Sequence, residues 1–151
     1  LVVLGTGDAQ YEGFFKDMEN QYGSKLRAII AFNQDLSRKI YSASDLFLMP
    51  SVSEPCGLSQ MIASRYGSVP IVRRTGGLAD SICDFTLPGG NGYTFDNIDH
   101  NEMLNVIKRA LNDFENKETW RKHIEKVMSV DFGWTASAKK YLQMYEEILE
   151  K

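Results

Sequence analysis

Residues 47–77 read FLMPSVSEPCGLSQMIASRYGSVPIVRRTGG. Phe47-Leu48-Met49 is a short apolar run closed by Pro50, the pattern of a buried parallel strand. Ser51 to Gly57 turns polar and carries a carboxylate (Glu54), a proline and a glycine. From Leu58 the period changes: Leu58, Met61, Ile62 and Arg65-Tyr66 fall on a helical repeat that Gly67 stops. Val69 to Val72 is a second apolar strand, and Arg73-Arg74-Thr75-Gly76-Gly77 follows it. Strand, helix, strand implies a parallel sheet, where ligands sit beyond the carboxyl ends of strands, at loops that meet helix N-termini. Glu54 and the backbone of Cys56-Gly57-Leu58-Ser59 fall at such a place, with Arg73 to Gly77 alongside.

The residues before this stretch extend the same alternation. Leu1 to Leu4 is an apolar strand, and Gly5-Thr6-Gly7-Asp8 a tight turn that lacks the third glycine of a dinucleotide fingerprint, since Gln10 stands there. Tyr11, Phe14, Phe15, Met18 and Tyr22 share one face of a helix ending near Gly23. Arg27 to Phe32 reads as the second strand, and Asn33 as the N-cap of a short helix. Beyond residue 77 come a helical turn over 78–85, a glycine-rich loop, and a last strand at Tyr93-Thr94-Phe95. Three helical segments close the chain, with apolar faces on Met103/Leu104, Ile107, Ala110/Leu111 and Phe114; on Trp120, Ile124 and Val127/Met128; and on Tyr141/Leu142, Tyr145 and Ile148/Leu149. Trp134 is expected to pack the last helix. The expected fold is α/β: one Rossmann-like parallel sheet over residues 1–151, with helices on both faces and a helical tail.

Composition narrows the function. The 151 residues carry 43% hydrophobic and 25% charged side chains, ordinary for a globular domain. A formal net charge of −3 argues against nucleic acid as partner. No apolar run approaches the roughly 20 residues of a membrane span. Two cysteines, Cys56 and Cys83, make neither a disulfide framework nor a metal spacing, which suits a reducing cytoplasm. His100 and His123 have no partner ligands at metal spacing and read as solvated, so no metal or cofactor is implied.

Two motifs carry a resemblance. Ser51-x-x-Glu54-Pro-Cys-Gly-Leu-Ser59-Gln60, then Arg65-Tyr-Gly-x-x-Pro70-x-Val72-Arg-Arg-Thr-Gly-Gly-Leu-Ala-Asp80, resemble the signature of bacterial glycogen synthases and plant starch synthases. Those are retaining glucosyltransferases of the GT-B fold, built from two facing Rossmann-like domains. The resemblance implies ADP-glucose as donor, an α-1,4-glucan as acceptor, and a cytoplasmic enzyme (plastidic if from a plant). It also implies that the acceptor-binding N-terminal domain, this domain's first strand and the arginine and lysine that clamp the diphosphate precede Leu1. The 151 residues by themselves are then expected to be inactive.

The same resemblance assigns roles. Glu54 would sit by the donor glucose, holding a hydroxyl and supporting positive charge near the anomeric carbon. Amides of Cys56, Gly57, Leu58 and Ser59 would hold glucose hydroxyls and the distal phosphate, joined by the Ser59 hydroxyl. Cys56 itself reads as a small, partly buried thiol, with no histidine near it in sequence to make it a nucleophile. Phe32 is either a stacking platform for the base or a core aromatic. Arg73 and Arg74 either approach the nucleotide and sugar or form surface ion pairs, while Gly76 and Gly77 shape the turn and admit the ligand. Broader relatives have a second glutamate eight residues after the first; Ile62 stands there, which agrees with the glycogen-synthase branch. Two alternatives remain open: a retaining transferase using another nucleotide sugar, and a non-enzymatic flavodoxin-like module. A receiver-type module would want clustered acids at its strand ends, and only scattered Asp8, Asp45 and Glu54 are present.

Overall fold

A computed structural model describes residues 1–150. It divides into two compact units, Leu1–Ser44 and the chain from Asp45 onward. In the first unit, β1 (Val2–Leu4) and β2 (Arg27–Ile29) pair in parallel, Val2 opposite Arg27 and Leu4 opposite Ile29. Between them runs α1 (Ala9–Tyr22), capped by the Asp8 carboxylate, which accepts from the Gln10 amide at 2.9 Å, and ended at Gly23. The Asn33 side chain caps α2 (Gln34–Ala43) by accepting from the Leu36 amide.

The second unit holds a parallel three-stranded sheet in the order β3 (Leu46–Met49), β4 (Val69–Arg73), β5 (Tyr93–Phe95). Met49 lies opposite Val72, and Arg73 opposite Phe95, so all three strands release their loops at one end. Between β3 and β4 lies α3 (Ser59–Arg65); between β4 and β5, α4 (Gly77–Ser81). Then follow α5 (His100–Glu115), α6 (Lys117–Ser129) and α7 (Trp134–Leu149).

Alternate residues of β4 serve two cores, as the pleat requires. Val69 and Ile71 join Tyr93, Phe95, Ala110, Trp120 and Val127 against α5 and α6. Val72 faces Leu78 and Ile82, with Met49 packed on them. Each fully buried aliphatic side chain here contributes about 1.5–3 kcal/mol.

Several expectations change. The second strand stops at Ile29, three residues before Phe32, because β1 offers only three residues to pair with. β3 is half-buried rather than buried, with Leu48 exposed, because among the described residues of this sheet it pairs only with β4. The face α3 buries is Gln60, Ala63 and Ser64, not Leu58, Ile62 and Tyr66; it packs on β4 and α6 through the small Ala63 and Ser64, while the Gln60 amide is held by hydrogen bonds to the Gly57 carbonyl and the Ser81 hydroxyl. Leu104, Leu111 and Met128 are exposed, at the rim of their helices' apolar stripes. Trp134 is 88% exposed, and no α7 side chain is buried.

His123 is not solvated: its ring stacks on Phe85 at 3.8 Å between centroids, and its Nδ1 lies 3.1 Å from the Tyr93 hydroxyl. That phenol gives its proton to Asp113 at 2.7 Å, so the imidazole donates Nδ1–H to the phenol oxygen. Nearby, Asp84 accepts both Arg109 Nη groups (3.0 and 2.5 Å) and the amides of Thr86 and Thr94. Burial pushes the Asp84 carboxyl up, but Arg109 and the two threonines outweigh it and hold the group far below the carboxylate range. Burial likewise lowers the His123 pKa. Burial and then the bond to Asp113 raise the Tyr93 pKa.

The signs set a pH window. A depressed His123 disfavours the folded state once pH drops below about 6.5, where the unfolded imidazole takes up a proton. Asp84 adds stability above about pH 4 that is lost on further acidification, and Tyr93 adds stability lost above about pH 10. Melting temperature should therefore plateau near neutrality and fall on both sides. Asp84→Asn should cost about 3 kcal/mol, roughly 10 °C, by leaving Arg109 half-buried without its carboxylate. A melt of this variant within 2 °C of the parent, roughly half a kcal/mol, would show the pair to be unimportant.

Candidate functional site

The site is built on the loops that follow β3 and β4. Arg73, the last residue of β4, points its guanidinium at the first of them: Nε donates to the Ser51 carbonyl at 2.7 Å, and Nη2 to the Val52 carbonyl. Its Nη1 donates to the Asp96 carbonyl after β5 at 3.1 Å, so one side chain ties together all three strand ends. Arg74 pairs through Nε with Asp96 at 2.6 Å, on the surface, where such a pair contributes about 0–1 kcal/mol. Both arginines thus bond to protein, one as a loop brace and one as a surface ion pair.

The two loops meet backbone on backbone. The Gly77 amide donates to the Glu54 carbonyl at 3.0 Å. A Cβ on Gly76, whose φ is +45°, would lie 2.1 Å from the Glu54 oxygen; one on Gly77 would lie 2.0 Å from the Cys56 oxygen. The glycines are required because the neighbouring main chain occupies the space a side chain would need. Anchored through its carbonyl, Glu54 is half-buried, and its carboxylate has no hydrogen-bond partner among the described residues.

Cys56 is exposed, contrary to the partly buried thiol read from the sequence. The reason is local: its carbonyl faces inward against Gly77, which turns the side chain out. Gly57 is buried at φ +74°, Leu58 is exposed at the N-cap position of α3, and Ser59 opens that helix. By position the first amides of α3 have no intrahelical acceptor. A cleft of about 420 Å³ borders the loop pair, lined by Pro55, Cys56, Gly77, Asp80, Asp131 and Lys140 among others. Phe32 lies in the first unit, in the loop before Asn33, and is 85% exposed, so it is not a core aromatic.

Sequence reasoning brought Glu54, Cys56 to Ser59, Arg73, Gly76 and Gly77 to one pair of loops, and the structure gathers them there. It missed Gln60 and Ser81, which lie behind the loops. No group of histidine, cysteine and carboxylate side chains that could hold a metal occurs among the described residues. Nor is any described helix long and apolar enough to cross a membrane.

Residues 1–127 match the family described as glycosyl transferases group 1. The chain belongs to that family. Within it, this glycosyl transferase chain is 48% identical over 152 residues to a glycogen synthase of Clostridium perfringens, an alignment covering 99% of the chain and 32% of the relative. It is 49% identical over 147 residues to the glycogen synthase of Bacillus licheniformis, covering 96% of the chain and 30% of that protein. Among solved structures it resembles the catalytic domain of starch synthase IV from Arabidopsis thaliana, bound to ADP and acarbose. That match has a TM-score of 0.85 at 41% identity and covers 99% of the chain and 32% of the solved one. The transferase chain thus spans about a third of the length of the curated relatives it matches.

Proposed function

We propose that residues 1–151 form one Rossmann-like, nucleotide-sugar-binding domain of a retaining glucosyltransferase of the glycogen and starch synthase type. The observation that carries this reading is the loop pair itself. A carboxylate (Glu54) and a run of helix-start amides are held by glycine-mediated backbone contact, on a chain similar to a starch synthase solved with ADP and acarbose. Similarity to that protein and to two bacterial glycogen synthases supports ADP-glucose as donor and an α-1,4-glucan as acceptor.

In this reading the acceptor hydroxyl attacks the anomeric carbon on the face from which the diphosphate departs. The bond from that carbon to the phosphate oxygen breaks, and the hydroxyl proton passes to the leaving diphosphate. A retaining hydrolase would instead need a second carboxyl about 5 Å from Glu54. The protein contributes positioning and electrostatics. Glu54 holds a glucose hydroxyl and stabilises positive charge as the bond breaks. Amides from Cys56 to Ser59 and the Ser59 hydroxyl take the sugar and distal phosphate. Gly76 and Gly77 keep the loops in register, Arg73 braces them, and Arg74 acts at the rim. Exposure of Phe32 supports its role as the platform for the base. The acceptor-binding domain and a cationic diphosphate clamp belong to other parts of the native polypeptide.

The test is transfer of glucose to an oligomeric α-1,4-glucan by the native polypeptide, with ADP-glucose and UDP-glucose offered in competition. Elongation with ADP-glucose preferred is the expected result. Preference for UDP-glucose would overturn the donor assignment, and no elongation with either would overturn the reading.

A further inference from the structure

We propose that Gln60 and Ser81 are positioning residues that aim the Gly57 and Leu58 amides at the sugar nucleotide, an inference that rests on the donor site proposed above. Gln60 sits in the first turn of α3 and is 0% exposed. A buried primary amide must spend its donors. Its two Nε2 hydrogens are spent outside its own helix's bonding pattern, on the Gly57 carbonyl at 2.8 Å and the Ser81 hydroxyl at 3.1 Å, with the Cys56 carbonyl sharing in a longer three-centre contact at 3.4 Å.

Peptide planarity converts those contacts into a ligand-facing geometry. In a trans peptide the carbonyl and the following N–H point in opposite directions. With the Cys56 carbonyl drawn inward to Gln60, the Gly57 N–H is turned outward. With the Gly57 carbonyl drawn inward, the Leu58 N–H is turned outward. Two successive donors are thereby aimed away from the core by one side chain behind them.

Ser81, at the end of α4, completes the brace. Its hydroxyl donates to the Gly77 carbonyl at 2.7 Å and accepts from Gln60, while the Gly77 amide holds the Glu54 carbonyl. The bonds run Glu54, Gly77, Ser81, Gln60, Gly57, tying the carboxylate-bearing end of the loop to its amide-bearing end. Gly57 is matched to this arrangement: a Cβ there would lie 2.6 Å from Gln60 Oε1, so the side-chain amide lies across the glycine's α-carbon. Gln60 Oε1 has no partner among the described residues, so its donor side alone sets which way the amide faces. A methionine at 60 keeps the bulk and loses the donors.

The experiment is donor kinetics and calorimetric ADP-glucose binding on the native polypeptide, with Ser81→Ala, Gln60→Met and the double variant. Circular dichroism and melting temperature are followed in parallel. Ser81→Ala, which removes one hydroxyl, should keep its fold and raise the donor KM and Kd about three- to tenfold, with kcat changed less. Gln60→Met should raise both about tenfold or more, and in its background Ser81→Ala should add little, because the two act through one chain of bonds. A purely structural role would lower the melting temperature while leaving donor KM in place, and that result overturns the proposal, as does a fall in kcat at constant KM. If Gln60→Met does not fold, Ser81→Ala alone decides. Parent protein that binds ADP-glucose alongside a Ser81→Ala variant that binds equally well removes the positioning role and leaves the donor site standing. Parent protein that binds no sugar nucleotide removes both.

Discussion

Gly77→Ala should abolish most of the transferase activity proposed for the native polypeptide and also destabilise the chain. The added carbon would stand 2.0 Å from the Cys56 oxygen and within 2.6 Å of two further Cys56 backbone atoms. No rotamer change relieves a clash with main chain, so the loops must separate by more than 1 Å, roughly 1.5 Å, to restore ordinary contact. That separation stretches the Gly77-to-Glu54 bond, now 3.0 Å, and moves the Glu54 carboxylate with it. Misplacement on this scale costs about 10²-fold in rate, and overpacking about 1–3 kcal/mol in stability. Gly13→Ala is the matched control: Gly13 lies inside α1 with nothing within 4 Å of the would-be carbon. There alanine should stabilise by about 0.5–1 kcal/mol and leave activity alone. Gly77→Ala with turnover within a few-fold of the parent would mean that the loop contact does not shape the site.

The contact between Gly77 and Glu54 was legible only in part, and the division is physical. Strands β3 and β4 and the glycines between them announce themselves because apolar runs and turn residues are local signals. Glu54, Gly76 and Gly77 could be placed at one sheet end because parallel strands release their loops on the same side. That the glycines admit main chain was invisible, since nothing in the sequence says which backbone passes nearby. Gln60 and Ser81 are 21 residues apart, and each looks like an ordinary polar residue on a short helix. Their bond exists only once β4 has brought α3 and α4 together.

Other differences have the same origin. Periodicity states which residues share a face, not what covers it, so Trp134, Tyr141 and Leu142 read as packing residues yet are exposed on α7. His123 looked solvated because its ring partner, Phe85, is 38 positions away in sequence. The run Arg27 to Phe32 looked like six residues of strand, but a strand is only as long as its partner allows. Ending β2 at Ile29 leaves Phe32 on an exposed loop, a placement the apolar run itself argued against.

Glu54→Gln should separate chemistry from architecture. The substitution keeps shape and volume, and the backbone carbonyl that holds the Gly77 amide is untouched, so melting temperature should match the parent. What disappears is the negative charge. In the proposed reaction that charge matters most as the glucose–phosphate bond breaks and positive charge grows at the anomeric carbon. An interaction stronger in the transition state than in the ground state acts on kcat. Loss of one preorganised electrostatic contact of this kind costs about 10²-fold or more in turnover. The donor Kd should change far less, since a glutamine can still hold a sugar hydroxyl. The pattern therefore differs from that of Gly77→Ala, which should lose stability, binding and turnover together, and from Ser81→Ala, which should lose binding before turnover. Rapid-mixing measurement of a single turnover on the native polypeptide distinguishes them. If Glu54→Gln elongates glucan at a rate within a few-fold of the parent, the carboxylate is not part of the chemistry, and the loops serve only to bind.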